Sequence, residues 1–284
     1  MTAARSGPPD RLASRQNPRV KRLVRLRDRR HRRREGVFVM EEPRVIARAL
    51  AAGVTVREVY VCPAVAAAHP AAADLLEPLA ATGVPVTEIT PAVLEKVAYR
   101  DHPAGLVVVA EPPAWSLATL DLPPDALVVV LEQVEKPGNL GAVVRTASGA
   151  GVHAVLACGG GADPFGPNAL RASTGAVLSV PVVETSPAEA AAWLKARGVR
   201  LVAATPDVPR LYTELDLTGP TAFLLGAEDA GLSPELRDAA DAACRLPMLG
   251  AADSLNVSVT AAVLVYEARR QRDAARGGTS GERR

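Results

Sequence analysis

The chain has 284 residues, 48% of them apolar and 23% charged, so it is long enough for two domains and can bury a core. No apolar run reaches the roughly 18 residues of a membrane span, and no signal-peptide core follows the basic N-terminus. The three cysteines, Cys62, Cys158 and Cys244, have neither disulfide-framework nor metal-ligand spacing. These features exclude a membrane protein, a disulfide scaffold and a zinc finger, and they predict a cytoplasmic protein without a bound metal.

Positive charge is concentrated at the start of the chain. Residues 1–40 hold 13 Arg or Lys and 3 Asp or Glu, a net charge of +10, which leaves −8 on the remaining 244 residues. Val20, Leu23 and Leu26 recur at helical spacing there, which favours an amphipathic helix with a basic outer face. A solvated tail and a phosphate-binding arm both fit this pattern. Residues 1–36 are the predicted basic arm, and its candidate RNA-binding side chains are Arg19, Lys21, Arg22, Arg25, Arg29 and Arg30.

Short strands and helices alternate after the basic arm, a pattern typical of a small α/β domain. Strands are predicted over residues 37–40, 56–61, 84–89 and 106–110. Helices are predicted over residues 44–52, 72–81 and 91–98, with a glycine after each of the first two and a proline in the first turn of the third. Residues 37–111 therefore form the first predicted domain.

A second alternation follows a proline-rich stretch. Two Pro-Pro pairs favour extended backbone and indicate a linker over residues 112–124. Strands are then predicted over residues 127–131, 153–157, 199–203 and 221–225, and the continuous apolar run of the first indicates a buried parallel sheet. Helices are predicted over residues 139–150 and 187–197, from Ser233, and over 254–272, with Asn139 and Ser254 as candidate caps. We assign residues 125–272 to the second domain and 273–284 to a disordered tail.

Several common functional motifs do not occur in the sequence. No lysine follows a glycine-rich loop in the Walker A pattern, and Gly149-x-Gly151-x-x-Ala154 follows a predicted helix where a dinucleotide site requires a strand. The four histidines lack the spacing of a metal site or a hydrolase triad, and no Gly-x-Ser-x-Gly elbow occurs.

Three segments of the second half carry a more specific pattern. They are Glu135-Lys-Pro-Gly-Asn-Leu-Gly-Ala-Val-Val-Arg-Thr146, Leu224-Leu-Gly-Ala-Glu-Asp-Ala-Gly-Leu-Ser233 and Leu246-Pro-Met-Leu-Gly-Ala-Ala-Asp-Ser-Leu-Asn-Val-Ser-Val259. Taken singly, their polar residues and glycines fit helix caps and turns. Together they resemble the SpoU/TrmH family of RNA ribose 2′-O-methyltransferases over residues 127–272, including Arg171-Ala-Ser-Thr-Gly-Ala176.

The first half resembles the small L30e-like substrate-binding domain that precedes the catalytic domain in many members of the family. This similarity covers residues 17–110 and is looser. The usual Phe-x-x-Glu-Gly signature here is Phe38-Val-Met-Glu41-Glu42, so its glycine is missing. That substitution bears on the local loop geometry more than on the presence of the domain.

The resemblance implies an α/β fold in two parts. A smaller L30e-like α/β domain precedes a trefoil-knotted SPOUT methyltransferase domain, whose parallel sheet is flanked by helices. S-adenosylmethionine is the implied cofactor, held in the knot mainly by backbone groups. The implied cofactor-binding positions are Gly226, Leu246, Met248 and Leu255. Glycine permits close backbone approach to a ligand, and the apolar side chains suit an adenine ring.

The family resemblance also implies the catalytic positions. Arg145 is the implied catalytic residue, supported by Asn139, Glu228, Ser254 and Asn256. A guanidinium is an unusual general base because its ordinary pKa exceeds about 12. Arg145 could act as that base, or it could position the ribose phosphate and stabilise developing alkoxide charge. The alternative without catalysis is a structural ion pair.

The final predicted helix carries two apolar stripes. One consists of Leu255, Val259, Ala262, Val263 and Tyr266, and the other of Val257, Ala261, Leu264, Val265 and Ala268. A helix that is apolar on two sides must be covered on two sides. The obligate homodimer of the family would provide this cover, and full burial within one chain would give the same pattern.

The sequence therefore predicts an S-adenosylmethionine-dependent RNA 2′-O-ribose methyltransferase. Ribosomal RNA is the preferred substrate, because family members with this extra domain are commonly rRNA enzymes, and tRNA remains open, as does a housekeeping or an antibiotic-resistance role. The alternatives are a non-catalytic RNA-binding protein of the same fold and a SPOUT methyltransferase that modifies a guanine base, such as one in tRNA.

Overall fold

Five strands form the sheet of the first of two units. The computed structural model describes residues 10–227 and 229–277, and the first unit contains residues up to Pro113 together with Phe165–Leu178. The strands are β1 (Arg11–Leu12), β2 (Phe38–Met40), β3 (Val56–Val61), β4 (Val86–Ile89) and β5 (Leu106–Ala110). Their spatial order is β1-β4-β3-β5-β2, in which β1, β4 and β3 pair in parallel and β5 pairs antiparallel with both β3 and β2. The four predicted strands are confirmed, and β1 is an additional two-residue edge strand.

Short helices connect these strands. They are α1 (Pro18–Arg25), α2 (Arg29–Glu35), α3 (Pro43–Ala51), α4 (Pro63–Ala66), α5 (Pro70–Ala73), α6 (Leu76–Ala81) and α7 (Pro91–Val97). The single helix predicted over residues 72–81 is wrong, because α5 ends at Ala73 and α6 begins at Leu76. Pro78 lies in the first turn of α6, where its missing N–H is tolerated, and it could not continue a helix from α5.

The basic segment folds as part of the first unit. Asn17 caps α1, Asp28 caps α2, and Gly36 ends α2 in the left-handed conformation. Val20, Leu23 and Leu26 are buried in a core that also contains residues of β3, β5 and α7. The expectation of an arm separate from a domain that starts at residue 37 therefore differs from the structure, because deletion of residues 1–36 would remove part of this core.

The second contribution to the first unit comes from a distant part of the sequence. Phe165–Leu178 contains α9 (Pro167–Ala172) and a 3₁₀ turn (Ala176–Leu178). The Phe165 ring lies 5.3 Å from that of Phe38, and the Arg48 guanidinium donates to the Thr174 hydroxyl at 2.8 Å. The segment resembling the methyltransferase family is thus not one contiguous unit, in contrast to the predicted domain over residues 125–272.

The second unit contains a six-stranded parallel sheet with the order β11-β9-β10-β6-β7-β8. Its strands are β6 (Leu127–Glu132), β7 (Ala154–Cys158), β8 (Val182–Thr185), β9 (Arg200–Ala204), β10 (Thr221–Leu225) and β11 (Ala242–Cys244). The four predicted strands are confirmed. The edge strands β8 and β11 were not predicted, because each has only three or four residues and no long apolar run.

Four helices accompany this sheet in the described part of the second unit. They are α8 (Pro137–Ala150), α10 (Pro187–Lys195), α11 (Pro234–Ala239) and α12 (Val257–Ala275). Two predicted caps are wrong: α8 begins at Pro137, so Asn139 lies in its first turn, and Asn256 rather than Ser254 caps α12. Residues 273–275 of the predicted tail are helical, and residues 278–284 lie outside the described residues.

The proline-rich stretch packs on the second unit. Trp115, Leu117, Leu120 and Leu122 contact the core on the α10 and α11 side of the sheet, and the Trp193 indole donates to the Leu117 carbonyl at 2.8 Å. The unit boundary at residue 114 therefore attaches most of the predicted linker over 112–124 to the second unit.

A buried arginine fastens the last helix to the start of two strands. Arg272 of α12 donates hydrogen bonds to the backbone carbonyls of Leu217, Gly219, Asp125 and Ala126. Burial lowers the pKa of this guanidinium. Within the described residues, no helix is long and apolar enough to cross a membrane, and no group of His, Cys, Asp or Glu is placed to hold a metal ion.

Candidate cofactor cavity and catalytic residues

A cavity of about 290 Å³ lies at the carboxyl ends of three neighbouring strands of the second unit. Ala204, Leu225 and Cys244 are the last residues of β9, β10 and β11, and all three line it. Ligands of parallel sheets bind at this edge, where the loops after the strands converge. The volume is near the lower end of the roughly 300–1,000 Å³ of small-molecule sites.

All four predicted cofactor residues line this cavity. Gly226 follows β10, Leu246 and Met248 follow β11, and Leu255 precedes α12. Cys244 also lines the cavity. Burial raises the pKa of its thiol to about 11, so the thiol is uncharged. The second and third sequence motifs therefore converge on one cavity that has both apolar and polar walls.

The loop after β10 folds back on itself. The Gly231 N–H donates to the Ala227 carbonyl at 2.9 Å, and a Cβ on residue 226 would overlap the Gly231 carbonyl group and the Leu232 nitrogen. Glycine at position 226 was predicted to allow close approach to a ligand. The structure gives a different reason: the loop's own returning backbone occupies the space of a side chain.

A buried carboxylate holds the other end of this loop. Glu132, the last residue of β6, is 3% exposed, and its Oε2 accepts a hydrogen bond of 2.7 Å from the Ser233 N–H. Ser233 in turn caps α11 through its hydroxyl. Glu132 was not predicted as a functional residue, although an acidic residue at the end of an otherwise apolar strand could have indicated it.

Charged side chains surround part of the cavity. Arg237 of α11 lies 3.8 Å from the Asp207 carboxylate, and both line the cavity together with Arg245, Asp229 and Asp253. Apolar walls with a few ionic groups suit a ligand that has both an aromatic ring and a zwitterionic end.

Two of the predicted catalytic residues are brought together. The Asn256 Nδ2 donates to the Asn139 Oδ1 at 3.2 Å, which joins the start of α12 to the first turn of α8. The Asn256 Oδ1 accepts from the Ser258 N–H at 2.9 Å, and this bond fixes the orientation of its amide. Asn139 has this geometry because α8 begins two residues earlier, so its side chain is not used as a cap.

The other predicted catalytic residues are placed differently. Ser254 is exposed and lines the cavity, whereas Glu228 lies outside the described residues. Arg145 is exposed on α8, does not line the cavity, and forms no ion pair or hydrogen bond through its side chain within the described part of the chain. The structural ion pair considered for Arg145 is therefore absent there.

The sequence matches two family profiles. Residues 126–266 match the SpoU rRNA Methylase family, and residues 17–108 match an MRM3-like substrate binding domain. The 23S rRNA (guanosine(2553)-2′-O)-methyltransferase RlmP of Bacillus subtilis is 30% identical over 258 residues, which cover 91% of this chain and 98% of that protein. The chain belongs to the SpoU family.

A further SpoU relative is only partly covered by the chain. The 23S rRNA (uridine(2479)-2′-O)-methyltransferase of Streptomyces viridochromogenes is 35% identical over 187 residues, which are 64% of this chain and 65% of that relative.

Solved structures of similar proteins agree with this assignment. A crystal structure of an RNA 2′-O ribose methyltransferase is 43% identical, with a TM-score of 0.80 and coverage of 92% of this chain and 99% of that one. An AdoMet-bound rRNA methyltransferase from Sinorhizobium meliloti is 30% identical, with a TM-score of 0.84 and coverage of 93% and 98%. The predicted family, fold class, enzyme class and S-adenosylmethionine cofactor are confirmed.

The cavity of this SpoU chain fits S-adenosylmethionine in its chemistry. Leu246, Met248 and Leu255 would supply apolar contacts for an adenine ring, and the Arg237–Asp207 pair would supply charges for an amino-acid end.

The six candidate RNA-binding residues divide into different structural roles. Arg19 pairs with Asp10 and lies over the Tyr60 ring at 5.4 Å, and Arg22 pairs with Glu35 at 2.6 Å and Glu58 at 2.7 Å. The side chains of Lys21, Arg25 and Arg30 are exposed and have no partner within the described residues. Arg29 is half-buried. Sequence alone could not divide them, because the partners lie in α2, in β3 and just before β1.

Proposed function

We propose that this chain transfers the methyl group of S-adenosylmethionine to a ribose 2′-hydroxyl of ribosomal RNA. The observation that carries the proposal is the convergence at residues 254–256. Ser254 and Leu255 line the cavity, and the next residue, Asn256, is hydrogen-bonded to Asn139 of α8. The relatives named for 23S rRNA 2′-O-methylation support the ribosomal substrate.

Bound S-adenosylmethionine supplies an electrophilic methyl group on a sulfonium. The chain must orient the ribose hydroxyl and assist the loss of its proton. We assign Arg145 to the substrate side, because its exposed guanidinium has no competing carboxylate within the described residues. It binds the ribose phosphate and stabilises the developing alkoxide while the hydroxyl proton passes to water. Ser254 and the Asn139–Asn256 pair position the nucleotide beside the cavity, and Glu228 remains a supporting candidate.

The test is methyl transfer by the purified full-length protein from labelled S-adenosylmethionine to 23S rRNA, with tRNA as the competing substrate. Digestion of the product to nucleosides and mass spectrometry then identify the modified atom. We expect a 2′-O-methylated nucleoside from 23S rRNA, and Arg145→Ala serves as the inactive control.

Each alternative function gives a different result in this assay. A methylated base would support a guanine-base methyltransferase, and transfer only to tRNA would change the substrate class. Cofactor binding measured by calorimetry, without transfer to either RNA, would support a non-catalytic RNA-binding protein.

We assign the RNA-binding surface of the first unit to Lys21, Arg25 and Arg30. Lys21 and Arg25 lie on α1, whose apolar side is already buried, and Arg30 lies on α2, so these three exposed cations are available to phosphates. Arg19 and Arg22 are assigned to structural roles because carboxylates of the same unit pair with them.

A homodimer is proposed on the exposed stripe of α12. Val259 and Tyr266 of α12 are 46% and 51% exposed, and Leu255, which precedes the helix, is 38% exposed. The other stripe is buried and consists of Val257, Ala261, Leu264, Val265 and Ala268. Full burial within one chain does not account for both stripes, and a second copy would cover the exposed one. A Val259→Glu variant should therefore sediment as a monomer where the wild-type protein sediments as a dimer.

Two further features remain proposals. A trefoil knot involving the C-terminal segment is supported by the membership of the SpoU family. Cytoplasmic localisation is supported by the rRNA relatives and by the three free, buried cysteines, which suit a reducing compartment.

A further inference from the structure

The motif Arg171-Ala-Ser-Thr-Gly175 has no role in the proposed cofactor cavity. It lies in the first unit, where Arg171 and Leu170 line a crevice together with residues of α1, the β2–α3 connection and the end of α7. The crevice has an apolar floor that includes Leu23, Leu26 and Met40. Tyr99 and Arg100 complete its rim.

Tyr99 is an exposed aromatic residue held in place at two points. Its side chain is 44% exposed, its N–H donates to the Glu41 carboxylate at 2.8 Å, and its hydroxyl accepts from the Asn168 Nδ2 at 3.2 Å. Burial raises the pKa of Glu41, which is consistent with its position beneath the rim. An exposed ring fixed in this way loses little further conformational freedom when a ligand stacks on it.

The Asn168 side chain also orients Arg171, an exposed cation of the rim. The Asn168 Oδ1 accepts from the Arg171 Nη2 at 3.1 Å, so one amide links the tyrosine hydroxyl to the guanidinium. Arg171 is exposed and pairs with no carboxylate within the described residues, whereas Arg100 pairs with Glu42 at 3.2 Å. Arg27 also lines the crevice, but its guanidinium donates to the backbone carbonyls of Lys96 and Ala98, so Arg171 is the rim cation that is available to an anion.

The size of the crevice limits how a ligand can bind. Its volume of about 50 Å³ exceeds the roughly 10–15 Å³ that one water molecule needs but is too small to enclose a nucleobase. A base can therefore lie on the rim, against the ring, with only its edge toward the crevice. Aromatic stacking beside a cation is the usual means by which proteins bind unpaired nucleotides.

We propose that Tyr99 and Arg171 form a binding site for one unpaired RNA nucleotide, in which the ring of Tyr99 stacks on the base and Arg171 pairs with its phosphate. The inference rests on the proposed action on RNA and adds to it a single-stranded element of the substrate, recognised by the first unit. It also gives the Arg171 motif a role that does not depend on the cofactor.

The test measures binding of the full-length protein to a fluorescein-labelled single-stranded U12 RNA and to a 12-base-pair RNA duplex. Tyr99→Leu keeps an apolar side chain without a π face, and we expect it to weaken single-strand binding at least about five-fold, with duplex binding unchanged. Tyr99→Phe should stay within about two-fold of wild type, because the ring remains. Leu76→Ala is the control, since Leu76 is a similarly exposed apolar residue of the same unit (39%) outside the crevice.

Arg171→Ala should lower the slope of log affinity against log salt for U12 by about 0.7, the value for one lost phosphate contact on a single strand. Arg44→Ala, another exposed arginine of the unit outside the crevice, should leave this slope unchanged. Wild-type affinity of Tyr99→Leu for U12, or an equal loss for U12 and the duplex, would overturn the proposal. Failure of the proposed function is seen separately, as absence of methyl transfer by the wild-type protein to 23S rRNA.

Discussion

The loop after β10 in the second unit is fixed by its own backbone and by Glu132, whereas Lys21, Arg25 and Arg30 of the first unit lie on exposed helix faces. A substitution in the loop therefore changes the cavity and the stability of the unit together. A substitution of one of the exposed cations removes charge and leaves the core intact. Ligand binding and folding are therefore coupled in the second unit and separable in the first.

Arg145 is the exception in the second unit and gives the largest expected effect. Because its side chain is exposed and unpartnered within the described residues, Arg145→Ala should leave the unfolding temperature and cofactor affinity nearly unchanged. Methyl transfer to 23S rRNA should fall at least about 100-fold, as for the loss of one group that stabilises transition-state charge. Activity within a few-fold of wild type would reject Arg145 as catalytic. Arg145→Lys should recover little activity if a bidentate phosphate contact is needed.

Gly226→Val tests the coupling in the cavity loop. A side chain at this position would overlap the backbone at Gly231 and Leu232, so the loop must move. We expect S-adenosylmethionine affinity to fall at least ten-fold, about 1.4 kcal/mol, together with a lower unfolding temperature. Calorimetric titration and thermal unfolding measure the two effects. Gly219→Ala is the matched control, because a Cβ at that position meets no atom within 4 Å. If Gly226→Val leaves the cofactor affinity unchanged, the cavity is not the cofactor site.

Glu132 tests the same coupling from the other end of the loop. Glu132→Ala leaves the Ser233 N–H without its acceptor, and this should cost about 1–3 kcal/mol in denaturant unfolding. Cofactor affinity should fall with it, because Ser233 starts the helix that follows the cavity loop. Glu132→Gln retains an oxygen acceptor and should recover most of both losses. Equal unfolding midpoints for wild type and Glu132→Ala would show that this hydrogen bond has no such role.

The exposed cations of the first unit give the smallest effect on folding. The triple variant of Lys21, Arg25 and Arg30 to Ala should flatten the salt dependence of RNA binding by up to about 2 in log–log slope, with no change in the unfolding temperature. Arg22→Ala should behave in the opposite way, because it breaks the pairs with Glu35 and Glu58 and lowers stability by on the order of 1 kcal/mol. Equal slopes for wild type and the triple variant would reject this surface as the phosphate-binding one.

Much of the fold could be predicted from periodicity, because the interior strands of both sheets are long and apolar. The edge strands β1, β8 and β11 were not predicted, because β1 and β11 lack the β-branched and aromatic residues that identify the similarly short β2, and the apolar run of β8 stops after Val183. The predicted start of α8 at Asn139 is two residues too late, because Pro137 favours the first helical position.

The family motifs identified the residues that line the candidate cofactor cavity, but not the residues that hold them in place. Glu132 acts across the sheet on Ser233, and the partners of Arg22 come from α2 and β3, so the local sequence does not identify the partner in either interaction. The placement of Phe165–Leu178 in the first unit is likewise long-range. Such pairings depend on which elements lie next to each other in the fold, whereas the spacing of apolar residues indicates only which face of each element is buried.

The position of Phe165–Leu178 also determines the order in which this protein can fold as it is synthesised. Domains usually fold as units from the N-terminus while the ribosome is still adding residues. Here the first unit lacks Phe165, the ring partner of Phe38, until β6 and β7 of the second sheet have already emerged. The nascent N-terminal half must therefore wait, with an incomplete core, for a segment that is translated later.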